Sequence, residues 1–250
     1  MKVIACISDL QVPFHDKRAT QNVIDFIKDF KPTEVVTVGD EMDMQTISKW
    51  SRGTAMEHEK SIGHDRDETC RILEAMNVSH MARSNHTDRL FNTVSLRAPG
   101  LLGLPELNIQ NFFRMDELGI TYHEDPYELA PDWLLMHGDE GSMNSTAGQT
   151  ALGLAKRTNT SVVCGHTHRQ AAIPFSQSHA TSGGTIVSKT IYGFETGNLM
   201  DYSKAKYIKG GLFNWQQGFG LLYVDGKTVT PVAVPIQRDG SFIVAGYKWG

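Results

Sequence analysis

The apolar and polar positions in the first part of the chain predict a strand, a helix and a second strand. Val3 to Ile7 is a continuous apolar run that stops at Ser8-Asp9, as a buried strand does when it delivers polar groups at its C-terminal end. In Ala19 to Phe30 the apolar residues Val23, Ile24, Ile27 and Phe30 fall at helical spacing, and Lys31-Pro32 closes the run. A second strand, Glu34 to Val38, ends at Gly39-Asp40. Strand, helix and strand make a βαβ unit. Ligands bind outside the carboxyl ends of such strands, so Asp9 and Asp40 are expected to face one crevice.

Further on, residues 56 to 77 carry Ile62, Ile72, Leu73 and Met76 at helical spacing, and Val78 to Ala82 reads as a short strand ending at Arg83-Ser84-Asn85-His86. Leu104 to Gly119 reads as one helix, opened by Pro105 and stopped by Gly119. Beyond residue 120 the pattern turns to short β-like runs: Trp133–Met136, Ser161–Cys164, Gln170–Phe175, Gly184–Tyr192, Phe219–Val224 and Lys227–Val234. Asp225-Gly226 between the last two signals a hairpin. With no internal repeat or low-complexity linker, the α/β part and the β-rich part are expected to share one core as a single domain over residues 1–250. The stretch Thr196 to Gly218 reads as a mobile surface loop, with Lys204, Lys206 and Lys209 forming a solvated face.

Composition narrows the function classes. Of 250 residues, 40% are hydrophobic and 21% charged, which excludes a disordered or coiled-coil chain. The net charge of −4 lacks the basic footprint of a general nucleic-acid binder. Cys6, Cys70 and Cys164 have no paired spacing, as expected of free thiols in a reducing compartment. The opening apolar run is too short for a signal peptide, and no stretch approaches the ~18 apolar residues of a membrane span. A cytoplasmic protein with no membrane partner is the expectation.

Five polar clusters follow apolar runs in order: Asp9-Leu10-Gln11, Gly39-Asp40-Glu41-Met42-Asp43, Ser84-Asn85-His86-Thr87-Asp88, His137-Gly138 and Gly165-His166-Thr167-His168. Asp9 and Gln11 are two apart, so at an extended strand end their side chains converge, and the same spacing relates His166 to His168. By the same alternation Asn85 and His86 are expected to point opposite ways. Carboxylates, the Asn85 amide oxygen and imidazoles form a mixed O/N donor set suited to Mn²⁺, Fe²⁺, Ni²⁺ or Zn²⁺. Cysteine is absent from every cluster, which argues against a structural zinc site. Alone, Asp9 or Asp40 would be an ordinary helix cap and His137 an ordinary core histidine; it is the ordered set that points to chemistry. His58, His64, His80, His123 and His179 match no motif, whereas His15 lies close enough to the first cluster to be a candidate substrate contact.

In this order the clusters resemble the calcineurin-like metallophosphoesterase superfamily over residues 5 to 168. The resemblance implies an α/β fold, a four-layer αββα sandwich of two mixed sheets flanked by helices. It also implies two divalent cations, Mn²⁺ above all with Fe, Ni, Zn or Mg as alternatives. Asp9, Gln11, Asp40 and His168 would hold one; Asp40, Asn85, His137 and His166 would hold the other, with Asp40 and a hydroxide between them. His86 would protonate the leaving oxygen. This chain departs from the pattern twice. Gln11 stands where the superfamily usually has His, which predicts a weaker first site that leans toward harder cations such as Mn²⁺ or Mg²⁺. Thr87 stands where a carboxylate usually orients the catalytic His, and Asp88 is the candidate for that role.

The implied activity is a phosphodiesterase acting on a small or cyclic nucleotide. A diester needs a proton donor and an apolar wall more than extra cations; Phe14, Trp50 and Phe91 are candidate base platforms, and no second arginine-rich cluster flanks the motifs. A DNA nuclease, a phosphomonoesterase or protein phosphatase, and a non-catalytic scaffold are the alternatives. Nucleic acid is the less favoured substrate because of the negative net charge.

Overall fold

The computed structural model describes residues 1–204 and 213–250. β1 (Lys2–Ile7), α1 (Lys17–Phe30) and β2 (Glu34–Thr37) form the expected βαβ unit with parallel strands. Asp16 caps α1 by accepting from the backbone N–H groups of Arg18 and Ala19, and Lys31 ends it in a left-handed conformation. α2 (Ile62–Ala75) leads to β3 (His80–Ala82), then come α3 (Asp88–Arg97), α4 (Ile109–Phe112), α5 (Met115–Leu118) and β4 (Thr121–His123). β2, β3 and β4 are parallel neighbours.

A second sheet follows from β5 (Tyr127–Ala130), β6 (Trp133–Leu135), β7 (Ser161–Cys164), β8 (Gln170–Ala180) and β9 (Ile186–Thr196), with α6 (Gln149–Thr158) between β6 and β7. Its order is β5-β6-β7-β9-β8, and β6, β7 and β9 run parallel. β10 (Gly218–Asp225) and β11 (Thr228–Pro235) turn at Asp225-Gly226 and return to the first sheet, whose order is β11-β10-β1-β2-β3-β4. β12 (Phe242–Val244) and β13 (Tyr247–Trp249) make a small terminal hairpin.

Strand alternation assigns the layers. From β1, Ala5 and Ile7 pack with Val23 and Ile27 of α1 and Leu73 of α2. Ile4 and Cys6 point the other way, to Val162, Cys164 and Phe194 of the second sheet, in the cluster that also takes in Ala151 and Leu154 of α6. Helices, sheet, sheet and helix are the four-layer αββα sandwich.

The expected helix over 104–119 is broken. Pro105–Leu107 is a single 3₁₀ turn, Asn108 restarts the chain by capping Gln110, and Arg114 at φ 52° separates α4 from α5. A polar cap and a left-handed residue inside an apolar-periodic stretch defeat the helical period. Two helices escaped the periodic reading. α3 starts inside a chemical motif, and α6 buries only a short face of Thr150, Ala151, Leu152, Leu154 and Ala155. β8 runs past Phe175 through a mostly exposed polar half, and β9 runs past Tyr192 through the buried residues Gly193–Thr196. The expected surface loop at 196–218 is buried at its start, with Thr196, Asn198, Leu199 and Met200 fully covered, and its residues 205–212, with Lys206 and Lys209, lie outside the described residues. No helix among the described residues is long and apolar enough to cross a membrane.

Candidate metal centre

All five polar clusters emerge from C-terminal ends of parallel strands: β1, β2 and β3 in one sheet, β6 and β7 in the other. They meet where the two sheets face each other. His168 Nε2 is 3.2 Å from Asp9 Oδ1, and His137 Nε2 is 3.3 Å from Asp40 Oδ1. The Gln11 amide nitrogen lies 3.2 Å from Asp40 Oδ2 and 3.4 Å from His168 Nε2. Asn85 Oδ1 is 3.0 Å from His137 Nε2. Asp40, His137 and His166 each offer a donor atom within 4.8 Å of the others. All seven expected ligands therefore share one place.

They do not converge as extended strand ends. β1 stops at Ile7 and β7 at Cys164, and Asp9, Gln11, Asp40, His166 and His168 all take positive φ, between 52° and 65°. Each left-handed non-glycine residue costs on the order of 1–2 kcal/mol, and such conformations gather at functional sites. Tight turns rather than strand alternation aim these side chains. Asn85 and His86 likewise sit in a turn, not an extended segment.

Two glycines allow the close approach. A Cβ on Gly39, at φ 109°, would collide with the His137 ring, and one on Gly165 would collide with Ser8 Oγ and Asp9 Oδ2. His137 is anchored through Nδ1 to the Val38 carbonyl at 2.8 Å, which directs Nε2 at Asp40 and Asn85. Asp9 Oδ2 accepts from Ser8 Oγ and from the backbone N–H of His166. Glu195, fully buried at the end of β9, accepts from Thr167 Oγ1 at 2.8 Å and from the Thr150 N–H, so it ties the His166–His168 turn to the start of α6.

The electrostatics call for positive charge. Burial works against ionisation of Asp40, yet the His137 and His86 imidazoles hold its carboxyl well below the usual range. Burial also works against a proton on His137, but the Asp40 carboxylate overrides it and pushes His137 up to about 10. Asp9 Oδ1 and Asp40 Oδ1 are buried and accept no hydrogen bond. Buried carboxylate oxygens are ordinarily paired, and a divalent cation between O and N donors satisfies both at once. The residues present fit such a group.

His86 is 3.6 Å from Asp40 Oδ2 through Nε2, and Asp43 Oδ2 is 4.0 Å from its Nδ1. Arg89, the second residue of α3, approaches His86 Nε2 at 2.7 Å and also donates to the backbone and side chain of Asp43. Burial lowers the His86 pKa, opposed by Asp40 and reinforced by Arg89. Asp88 is not beside His86. Its Oδ2 accepts from Arg83 Nε at 3.0 Å, and Arg83 also binds Asp139, so that guanidinium draws Asp88 away. Thr87 turns inward, with the Ser84 N–H bonded to its Oγ1. The charged groups facing His86 are Asp40, Asp43 and Arg89. The arginine beside the motifs was not foreseen, although it lies three residues past His86, one helical turn.

Of the three expected aromatic platforms, Phe14 is half-buried in the loop of the first cluster, its N–H donating to the Gln11 carbonyl. Trp50 and Phe91 are 78% and 62% exposed. The ring that packs on the centre is Trp215, 4.3 Å from His168 between centroids. His15 is buried and turned toward Glu68 of α2, 3.8 Å away. His80 and His123 pair with each other at 2.9 Å, apart from the centre.

No family model matches the chain. It is similar to the Gene 54 protein of Mycobacterium phage D29, 37% identical over 257 residues covering 99% of this chain and 98% of that one. The Gene 54 protein of Mycobacterium phage L5 is 37% identical over 258 residues, with the same coverage. Among solved structures, Vacuolar Protein Sorting 29 from Cryptosporidium parvum superposes with a TM-score of 0.50 at 15% identity, covering 99% of this chain and 97% of that one. The chain therefore belongs to the family of the mycobacteriophage Gene 54 proteins and is built on the fold of the calcineurin-like metallophosphoesterase superfamily.

Proposed function

We propose that the protein is a divalent-metal-dependent phosphoesterase, a single catalytic domain that hydrolyses a phosphodiester of a nucleotide in the cytoplasm. The observation that carries this reading is the convergence of Asp9, Gln11, Asp40, Asn85, His137, His166 and His168, five of them held in left-handed backbone. Asp9, Gln11, Asp40 and His168 would hold one cation, and Asp40, Asn85, His137 and His166 a second, Mn²⁺ being the first choice for this donor set. Bound there, the pair supplies Lewis-acid activation of the phosphoryl group and of the attacking water.

The chain's own residues do the rest. His86, buried against Asp40 and Asp43, is the proton donor to the leaving oxygen. Arg89 holds His86 in the resting site and offers its guanidinium to a phosphoryl oxygen when substrate enters. Glu195 keeps the His166–His168 turn in place. A guanidinium so close to the centre also suits the extra charge of a monoester, so phosphomonoesterase is the second reading.

The test is metal content of the purified full chain, followed by hydrolysis of bis(p-nitrophenyl) phosphate against p-nitrophenyl phosphate with added Mn²⁺. Up to two cations per chain and faster diester turnover are expected. A faster monoester replaces this reading with the second one; no bound metal and no turnover make the protein a scaffold.

A further inference from the structure

Next to the centre lies a feature that ester hydrolysis alone does not require. Tyr202, Phe213 and Trp215 form an aromatic cluster, with Trp215 packed 4.3 Å from His168 and 6.0 Å from Tyr202. All three rings are half-buried, so each keeps part of its surface in solvent. The residues around them are tied to the candidate ligands by the backbone. The Gln216 N–H donates to the His168 carbonyl, the Leu199 N–H to the Asp9 carbonyl, and Asn198 Nδ2 to the His168 carbonyl.

Asp201 and Lys204, which flank Tyr202 in sequence, line a cavity of about 440 Å³ together with Asp16, Lys17, Arg18 and Arg238. Its two carboxylates are already engaged. Asp16 caps α1 and accepts from Gln217 Nε2, and Asp201 accepts from Ser203 and lies 3.7 Å from Lys204. Lys204 is further held by the carbonyls of Pro13 and His15. Among the described residues, Lys17, Arg18 and Arg238 have no carboxylate within 4.0 Å. Three exposed cations around a concave surface, in a chain of net charge −4, are a local reversal of sign.

Metal centre, aromatic cluster and cationic cavity are linked through one stretch of chain: His168 packs on Trp215, Trp215 on Tyr202, and Asp201 and Lys204, beside Tyr202 in sequence, line the cavity. That set of features matches the repeat of a single-stranded nucleic acid, in which a phosphate, a base with a π-face and a further phosphate recur. A mononucleotide or a cyclic nucleotide has no second phosphate to place in the cavity. We propose that the substrate is a single-stranded oligonucleotide. Its reacting linkage lies at the metal centre, a base stacks on Trp215, and a further phosphate of the strand binds Lys17, Arg18 and Arg238. The inference rests on the phosphodiesterase reading and narrows its substrate from a small nucleotide to a short strand. It also reverses the expectation drawn from net charge, because the binding charge is local.

The test is equilibrium binding of fluorescein-labelled pentathymidylate to the full chain in chelator, where no cleavage intervenes, with pentauridylate as a second arm to separate DNA from RNA. Arg18→Gln/Arg238→Gln removes two exposed charges and is checked for folding by its thermal melt. It should bind roughly tenfold more weakly, with the log–log salt slope smaller by roughly 0.7 for each lost phosphate contact. Trp215→Leu should weaken binding by about five- to a hundredfold if a base stacks there. Pentathymidylate with neutral methylphosphonate linkages should bind the wild type as weakly as the ordinary strand binds the double variant. Unchanged affinity and salt slope in the double variant, equal binding of the neutral strand, or no binding to the wild type would each overturn the subsite. Failure of the reading beneath it shows separately, as absence of wild-type turnover of bis(p-nitrophenyl) phosphate with Mn²⁺.

Discussion

The two halves of the centre are built to different standards. Around Asp40, His137 and His166, three ionisable donors lie within 4.8 Å, and His137 is locked by the Val38 carbonyl on one side and faces Asn85 on the other. Around Asp9, Gln11 and His168, the middle donor is a neutral amide whose nitrogen lies within 3.2 Å of Asp40, and His168 Nδ1 has no hydrogen-bond partner to fix the ring. Asp9 also spends one oxygen on Ser8 and the His166 N–H. The first arrangement is preorganised for a cation; the second depends on a cation to order it. On the proposed two-cation reading, that difference leads to the expectation of one tight and one weak site.

Asp40 belongs to both halves, so removing its charge gives the largest effect. Asp40→Asn leaves His137 without the carboxylate that holds its proton and takes the shared donor from both sites. Turnover should fall by roughly 10³-fold or more, beyond the 10²–10³ typical of one lost donor. Elemental analysis should find less than one cation per chain. Full occupancy in this variant would show that the halves do not share a bridge.

Removing one imidazole from each half separates them. His168→Ala should keep a single tightly held cation, whereas His137→Ala should lose that one and retain at most weak binding, both read by calorimetric titration. Equal loss in the two variants would abolish the asymmetry. Arg89→Ala, which touches neither set of donors directly, should leave stoichiometry at wild-type values and lower kcat/KM by roughly 10²-fold. A change in metal content there would assign Arg89 to holding the centre together instead.

The difference in donor chemistry between the halves is legible in the chain, since Gln11 is a neutral amide among carboxylates and imidazoles. Gln11 in place of His pointed to a weak first site, and the five clusters in order pointed to the fold, because strand ends are marked by abrupt apolar-to-polar switches. The turn geometry was not legible. Positive φ at Gln11, His166 and His168 runs against residue preference, so local pattern predicts extended chain where the structure has turns. Asp88 shows a second limit. It neighbours Thr87 in sequence, yet Arg83 and Asp139 set its direction, and Asp139 is contributed from the far sheet. Trp215 and Glu195 lay beyond reach for a similar reason: both come to the histidine turn from later strands or loops, and no spacing rule links them to it.

A smaller change sharpens the comparison from the weak side. Gln11→His supplies an imidazole where the amide now stands and should tighten the first site about tenfold or more, with a shift toward softer metals such as Zn²⁺. The second site should be unaffected. Calorimetry that shows two sites drawing together in affinity supports Gln11 as a donor; unchanged affinity in both Gln11→His and Gln11→Ala would remove it from the ligand set.

The smallest effect concerns the support of the weak half. His15, four residues past Gln11, is 2% exposed, and its ring is held 3.8 Å from Glu68. Burial pushes its pKa down to about 4, against the partial pull of Glu68, so it is neutral in the folded protein at pH 7. In the unfolded chain it titrates near 6.5. Between those values the unfolded state binds the extra proton, so stability rises with pH across that window; the contribution is complete above about 6.5 and is lost as pH falls toward about 4. The strap of Leu199, Met200 and Asp201 is bonded to this same loop at Asp9, Phe14, His15 and Asp16, so acid should loosen the weak half first. Thermal melts at pH 7 and pH 5 should differ by a few degrees more in the wild type than in His15→Gln, which cannot take up the proton. An identical pH dependence in the two proteins would mean that His15 carries no part of the acid sensitivity and that the two halves differ only in their donors.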